Sequence, residues 1–505
     1  MVHLASIVSD LGFWPTVAGT VATYLFYQIV ATVYDVYFGP MSNIPGPKLW
    51  AASHIPYILM LWNGEDASTK LALHEKYGPV VRVSPTELSY REAQAWKDIY
   101  GHQTRGKKSF PKDSRFYAPA VNGAPSILNA DDPTHTRHRR ILAHAFSDKA
   151  LKEQEPLLKK WSDMLVSKLK ENVEKSPSTP LDLVSWFNFT TFDIMADLTF
   201  AEPLYMLEGS TYSPWVRTIF GSLKLGSRLR AVRILPGMTT FINMIMPNSM
   251  RQKQVEHFKY SADRVDKRLA NKNLDRPDLW AQVLKRVDVD GMSMSVAEMH
   301  SNSAIFMLAG TETTATLLSG LTYHLLQNPA TMSKLVNEVR STFPTRDDIN
   351  VETLQRLPYL NACLEEGMRM YPPVATGLPR LTPKGGAAIC GTWIPEDVAV
   401  SVSQWSTYQC EENFHKAKLF IPERWMGEDE QFANDNHAAF QPFSTGPRNC
   451  IGRNLAYHEA RLLLCEVLWN FDLTLDEKSE DWLNQPVFTV WEKDPLWVRL
   501  QVASR

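Results

Sequence analysis

The sequence predicts a mostly helical fold with small β-sheets (α+β), preceded by one N-terminal transmembrane helix. Three observations carry that reading. Helical periodicity dominates from Pro133 to about Met370. Strand-like runs are short and lie at 80–90 and around 378–403, with more at the C-terminal end. Between Asp10 and Asp35 there is no charged residue, and those 24 positions exceed the roughly 20 that span a bilayer as a helix.

Each element follows in order. The charge-free stretch LGFWPTVAGTVATYLFYQIVATVY has Trp14, Tyr34 and Tyr37 near its ends, where aromatic belts form. It lacks the basic n-region and shorter apolar core of a cleaved signal peptide, so residues 1–38 are expected to be an uncleaved anchor. GPMSNIPGPK (39–48) makes a stiff hinge, assigned to 39–50, and residues 51–505 form one catalytic domain. Glu65–Tyr77 reads as a helix ended by Gly78, and VVRVSPTELSY (80–90) as a strand pair around Ser84-Pro85. EKSPSTP (174–180), DVDG (288–291) and FPTRDD (343–348) read as loops between helices. One long helix is well marked. Ser295-x-x-Glu298 is a capping box at its start and Asn328-Pro329 stops it, so about thirty residues cross the domain. A loop-rich section spans 404–449, a last helix starts near Cys450, and short strands close the chain.

The composition, 44% hydrophobic and 21% charged, is that of a globular protein with a substantial core. A net charge of −2 gives no pointer to nucleic acid. The five cysteines, Cys363, Cys390, Cys410, Cys450 and Cys465, form no C-x-x-C pair, which argues against a disulfide framework or a structural zinc site.

The chemistry concentrates in two places. In the middle of the long helix, Ala309, Gly310, Thr311, Glu312, Thr313 and Thr314 make a small polar patch among apolar neighbours. A glutamate there is expensive without a function or a partner. In FSTGPRNCIGRNLA (443–456), Gly446-Pro447 makes a turn and Cys450 falls at a helix N-terminus, where a thiolate is favoured. Phe443 shields the sulfur, Gly452 lets a flat group approach, and Arg448 offers a cation. A core thiol or a nucleophile remain alternatives for Cys450, but the combination suits haem, with Arg448 on a propionate.

The pattern F-x-x-G-x-R-x-C-x-G at Phe443, Gly446, Arg448, Cys450 and Gly452 resembles the haem-binding signature of cytochromes P450. Glu366-x-x-Arg369 and Arg424, in PERW, match that family's buried ion network. AGTETT (309–314) resembles its oxygen-activation motif, with Glu where many members have Asp. The resemblance covers about Pro45 to Leu500 and looks microsomal (class II) and fungal.

It implies a P450 fold with haem b (iron protoporphyrin IX), Cys450 as the iron ligand, and O2 as co-substrate. It also implies Thr313 and Glu312 as the proton relay, and propionate contacts from His135, Arg139 and Arg380 besides Arg448. Only 55 residues follow Cys450, too few for a flavin domain, so electrons are expected from NADPH through a partner NADPH-cytochrome P450 reductase. Arg137, His138, Arg140, His144 and Lys149 are the expected cationic docking face.

Candidate pocket residues by family position are Phe116, Asn122, Ala309, Val374 and Leu378, with Asn122 the main polar handle. The uncharged run ILPGMTTFINMIMPNSM would roof the pocket or dip into the bilayer. The expected reaction inserts one oxygen atom into a lipophilic small molecule, a fungal polyketide or terpenoid intermediate, at the endoplasmic reticulum membrane with the domain cytosolic. The competing readings are a haem-thiolate isomerase, dehydratase or peroxygenase, and a non-enzymatic haem or lipid sensor. The Asn188-Phe-Thr190 sequon is expected to lie in a helix and to stay unmodified.

Overall fold

A computed structural model describes residues 13–102, 108–118, 120–271, 275–290 and 293–504. The first twelve residues of the expected anchor and Gly291 of the expected DVDG loop lie outside them.

The apolar stretch forms one helix, α1 (Phe13–Phe38), long and apolar enough to cross a membrane and exposed along most of its length. The end of α1 and the segment after it are packed on the rest of the protein. Asp35 pairs with buried Arg82 at 2.5 Å, Met41 is buried in a hydrophobic cluster, and the Arg82 N–H donates to the Pro45 carbonyl at 2.7 Å. A Cβ on Gly46 would lie 2.5 Å from the Arg82 carbonyl oxygen, so this close approach needs glycine.

β1 (Val80–Ser84) and β2 (Glu87–Tyr90) form the expected antiparallel pair. The helical body then follows as α2 (Asp132–Leu142), α3 (Asp148–Lys175), α4 (Leu183–Phe200), α5 (Pro214–Arg233) and α6 (Asn248–Ala270). The helix Leu279–Asp290 continues through Asp288–Asp290, where a loop was expected.

The long helix is present with its capping box at Ser295 and Glu298, but it is interrupted: α7 (Val296–Ala309) and α8 (Glu312–Gln327) flank Gly310-Thr311. Pro329 opens the next helix, as the stop signal implies. α9 (Pro358–Met370) leads to β3 (Arg380–Leu381) and β4 (Ala399–Val402). β4 pairs parallel with β2, so the sheet order is β1-β2-β4-β3. α10 (Arg453–Asn470) then runs into β5 (Phe471–Leu475), which pairs with β6 (Trp497–Val502).

The core is one large apolar cluster among α3, α4, α8, α9 and α10, with a second under the sheet. α8 is buried on nearly every face because it packs against both α4 and α9. Its buried polar residues, Thr314, Thr316, Ser319 and Thr322 among them, are small hydroxyl side chains that fit a packed helix.

Candidate active site

The cysteine loop is held from three sides. The Cys450 N–H donates to the Phe443 carbonyl at 2.9 Å and closes the turn. Gly446 has φ +76°, and a Cβ there would overlap the Tyr100 carbonyl oxygen, so no other residue fits. Arg139 on α2 donates to the Asn449 carbonyl at 2.6 Å and to its side-chain oxygen at 2.7 Å. α10 starts at Arg453 with Gly452 as its cap, two residues beyond Cys450. A Cβ on Gly452 would meet only Phe146, at 3.9 Å, so the space above it is open.

Cys450 itself faces open space inside the fold. Burial pushes its thiol up, against the Gly452 N–H, Arg139 and Arg453, which pull it down. The helix end alone was expected to lower it; burial outweighs that field.

Beside the loop, a cavity of about 230 Å³ is lined by Tyr100, Ser109, His135, Arg380 and Arg448, among others. Arg448 bonds Asp132 at 2.7 Å and the Ala130 carbonyl at 2.8 Å, and its buried Nη1 has no partner. Arg380 also has a buried, unpartnered Nε. Burial, then Arg380 and Arg448, push Lys112 down to about 6. Burial, then Arg448, Lys112 and Arg139, push His135 down to about 3. Four basic side chains therefore crowd together with Asp132 as their acidic neighbour. Such a cluster suits a ligand with two negative charges.

Arg139 departs from its expected place here, because both of its bonds run to the cysteine loop. Lys112 was missed in the sequence; a lone lysine in a loop carries no signal until its bridge to Arg380 brings it in.

The broken helix forms the other wall. Thr311 donates to the Met307 carbonyl at 2.6 Å and Thr313 to the Ala309 carbonyl at 2.7 Å, with Thr314 on the Gly310 carbonyl at 3.4 Å. Threonine hydroxyls thus satisfy carbonyls at the break. Gly310 packs on Met195: a Cβ there would lie 2.8 Å from the Met195 sulfur, the flexible end of that side chain. Ile305, Ala309 and Thr313, four residues apart, are open or half-open although this helix runs through the core. They face interior space, as Cys450 does. Phe146 links the two walls: it lies against Gly452 and stacks edge-on with Phe306 at 5.7 Å. Glu312 does have a partner, Lys493, which reaches it from the C-terminal segment.

The ion network is as the spacing implies. Arg369 makes two bonds to Glu366, at 2.7 and 2.8 Å, and Arg424 a third at 3.2 Å, all with fully buried side chains. Burial pushes Glu366 up, but Arg369 and Arg424 hold it below the ordinary carboxylate range. Trp425 and Asp435 complete the set, and neither was marked in the sequence.

Other expected roles change. Asn122 is not a free polar handle: it donates to the Ala297 carbonyl and accepts from Ser301, both at 2.8 Å, tying its loop to α7. Phe116 lies under Arg230, 4.4 Å from ring to guanidinium, in a small cavity with Tyr57 and Glu87. Val374 and Leu378 are half-buried. In the expected docking face, Arg137 and His138 are committed to Glu298, at 2.5 and 3.1 Å, while Arg140 and Lys149 are exposed and His144 is half-buried. Asn188 is buried within α4 and donates to Tyr212, so its sequon is inaccessible.

The residues present fit the haem that the sequence resemblance implies. A thiol in open interior space, a Gly452 with no side chain, and arginines that each have a spare buried N–H suit a sulfur ligand, a flat ring and two propionates.

Comparison with known proteins agrees. The sequence model of the family described as Cytochrome P450 matches residues 45–496. The chain is 44% identical to the cytochrome P450 monooxygenase astJ of Aspergillus oryzae, over 93% of each chain. It is 41% identical to the cytochrome P450 monooxygenase FUM2 of Gibberella moniliformis, over 94% of this chain and all of the relative. It is 40% identical to the averantin hydroxylase of Dothistroma septosporum, over 97% of this chain and 94% of that one. The cysteine loop, the cation cluster and the broken helix are therefore those of a member of the cytochrome P450 family, to which this chain belongs.

Proposed function

We propose that this chain is a membrane-anchored monooxygenase that hydroxylates a lipophilic small molecule of fungal secondary metabolism, with electrons from NADPH delivered by a partner reductase. The observation that carries this reading is the Cys450 loop beside a cluster of basic side chains in which buried N–H groups of Arg448 and Arg380 have no partner. The fungal relatives, one of them named as a hydroxylase, support the reaction type. α1 supports attachment at the endoplasmic reticulum, with residues 39–50 as the hinge and 51–505 as the cytosolic domain.

Cys450 would hold the haem through its sulfur, Gly452 would give the ring room, and Arg448, Arg380, His135 and Lys112 would neutralise its carboxylates. When bound, the haem activates O2: one oxygen atom enters the substrate and the other leaves as water, with two electrons and two protons consumed. Thr313 holds its hydroxyl over the open space through its bond to the Ala309 carbonyl, and with Glu312 it moves protons toward the departing oxygen. Ala309, Val374 and Leu378 line an apolar wall that positions the substrate and excludes water. Asn122 and Phe116 shape the loop above it.

The test is a product assay in membranes with co-expressed reductase, NADPH, labelled O2 and a panel of lipophilic fungal intermediates. A product carrying one labelled oxygen only with reductase supports the reading. Turnover without reductase or label overturns it. Thr313→Ala is expected to keep NADPH consumption while diverting O2 to peroxide, with product per NADPH falling on the order of tenfold to a hundredfold.

A further inference from the structure

Cys450 stands on a turn whose closing hydrogen bond runs from its own N–H to the Phe443 carbonyl, and Phe443 is half-buried. The ring of Phe443 packs on the buried ring of Tyr457, with centroids 5.1 Å apart. Tyr457 lies on α10, and its hydroxyl donates to Glu365 on α9 at 2.6 Å. A chain of contacts therefore runs from α9 through two rings to the Cys450 amide.

Two cations flank it. Arg453, Tyr457 and Arg461 are spaced four residues apart along α10, so they share one side of it. Arg461 lies 4.9 Å from the Tyr457 ring, and Arg453 lies 5.8 Å from the rings of both Tyr457 and Phe443. Both are within reach of a cation–π attraction. A cavity of about 640 Å³ opens beside Glu365, Arg453, Tyr457 and Arg461. Close packing thus does not confine the Tyr457 ring on that side, and its hydroxyl bond decides where it stands.

Joining α9 to α10 does not account for Glu365. One turn away, Arg461 donates to the side-chain oxygen of Asn361 at 2.7 Å and joins the same two helices through a neutral acceptor. A carboxylate is the costlier choice. Burial pushes Glu365 up, against Tyr457, Arg453 and Arg461, which pull it down.

We propose that Tyr457 is a positioning residue for the cysteine ligand: locked by Glu365, its ring holds Phe443, and through the Phe443 carbonyl it holds the turn on which Cys450 stands. This rests on Cys450 as the haem ligand. A turn free to shift would present the sulfur at varying distance and angle, so the thiolate bond would be lost more easily.

The experiment uses the full chain with haem bound. Hydrogen exchange is read on the segment 444–452, where the Cys450 amide reports the turn. Tyr457→Phe keeps the ring and drops the hydroxyl bond; Glu365→Ala drops its acceptor. Both are expected to speed that exchange on the order of tenfold, about what one lost hydrogen bond is worth. Glu365→Gln keeps an acceptor oxygen and is expected to exchange as the parent does. Asn361→Ala breaks the neighbouring join and leaves the Tyr457 bond, so it is expected to lower the melting temperature without changing exchange in 444–452.

A second readout is spectroscopic. The reduced carbon-monoxide complex of Tyr457→Phe is expected to lose its thiolate-type absorption on the order of tenfold faster than the parent, in step with its exchange. Glu365→Gln should lose it at the parent rate. A role in stability alone would instead order all four variants by melting temperature.

If Tyr457→Phe and Glu365→Ala exchange as the parent does, the positioning role is overturned. It is overturned equally if Asn361→Ala speeds exchange as much, because the join between the helices then does the work. Cys450→Ser tests the reading beneath. A thiolate-type spectrum that survives it removes Cys450 as the ligand and the purpose assigned to Tyr457. A spectrum lost in Cys450→Ser, with parent exchange in Tyr457→Phe, overturns the positioning role alone.

Discussion

Lys112 shows how a side chain without any local signature becomes part of a site. In the protein alone, burial and its cationic neighbours hold it near 6, well under the ordinary lysine value. A lowered lysine is neutral in the fold and charged when released, so its penalty is largest below about pH 6 and fades as pH rises toward the ordinary value. A dianionic ligand reverses this by favouring the charged form. Between those limits binding takes up a proton, and retention weakens as pH rises. Haem transfer to an acceptor globin should therefore speed up from about pH 7 to about pH 9 in the parent. In Lys112→Met transfer should be faster throughout and lose most of that slope; an unchanged slope would remove Lys112 from the site. Cys450, Arg448 and Gly446 were legible in the sequence because they stand at fixed spacing in one short stretch, although Gly446 fits against Tyr100 and Arg448 bonds Asp132 across the fold. Lys112 and Lys493 were not, because each meets its partners only across the fold; Lys493 lies 181 residues from Glu312.

Among the elements, the irregular segment before the cysteine loop depends on α9. Glu366 accepts from Arg369, Arg424, Trp425 and the Ile421 N–H, while Arg369 donates to the carbonyls of Tyr408, Ala417 and Leu419. Glu366→Gln keeps the shape but leaves two buried guanidinium groups without their shared anion. The expected loss is about 3–5 kcal/mol, with a lower melting temperature and less haem bound per chain. Thermal denaturation together with haem content checks it, and a variant that melts with the parent would show the network is not what holds the segment.

The long helix makes a similar point about glycine. A Cβ at Gly320 would overlap the buried Tyr371 ring, whereas at Gly310 it meets the flexible end of Met195. Gly320→Ala should cost several times more stability than Gly310→Ala, which thermal melting of the two variants will decide. The helix, its capping box and its stop were readable from spacing. Its interruption was readable only as a threonine cluster, because a break becomes visible when carbonyls are seen to change partners.

At the scale of the whole molecule, the apolar helix α1 and the body of the protein overlap. The sequence puts a hinge at 39–50, but physically the domain reaches back to Asp35, through its pair with Arg82, and to buried Met41. Removing residues 1–30 should thus leave a folded protein, whereas removing 1–44 strips a partner from a buried arginine and unpacks the sheet cluster.

The shorter truncation should not be fully released from membranes. Helix Lys48–Ala52 packs on α1, Ile55–Asn63 packs on Lys48–Ala52, and α5 joins that helix to Met238–Ile245. Along this series Leu49, Ile55, Leu59, Phe241, Met244 and Ile245 are exposed apolar side chains. Each is worth about 1.5–3 kcal/mol when moved from water to hydrocarbon, enough for reversible attachment though not for the hold of a spanning helix. Protein lacking 1–30 should therefore leave membranes in alkaline carbonate, where the full chain stays. Adding Phe241→Ser, Met244→Ser and Ile245→Ser should move it to the supernatant even in neutral buffer, with its reduced carbon-monoxide spectrum intact. If the triple variant sediments with membranes as before, the run from 234 to 250 faces the pocket alone.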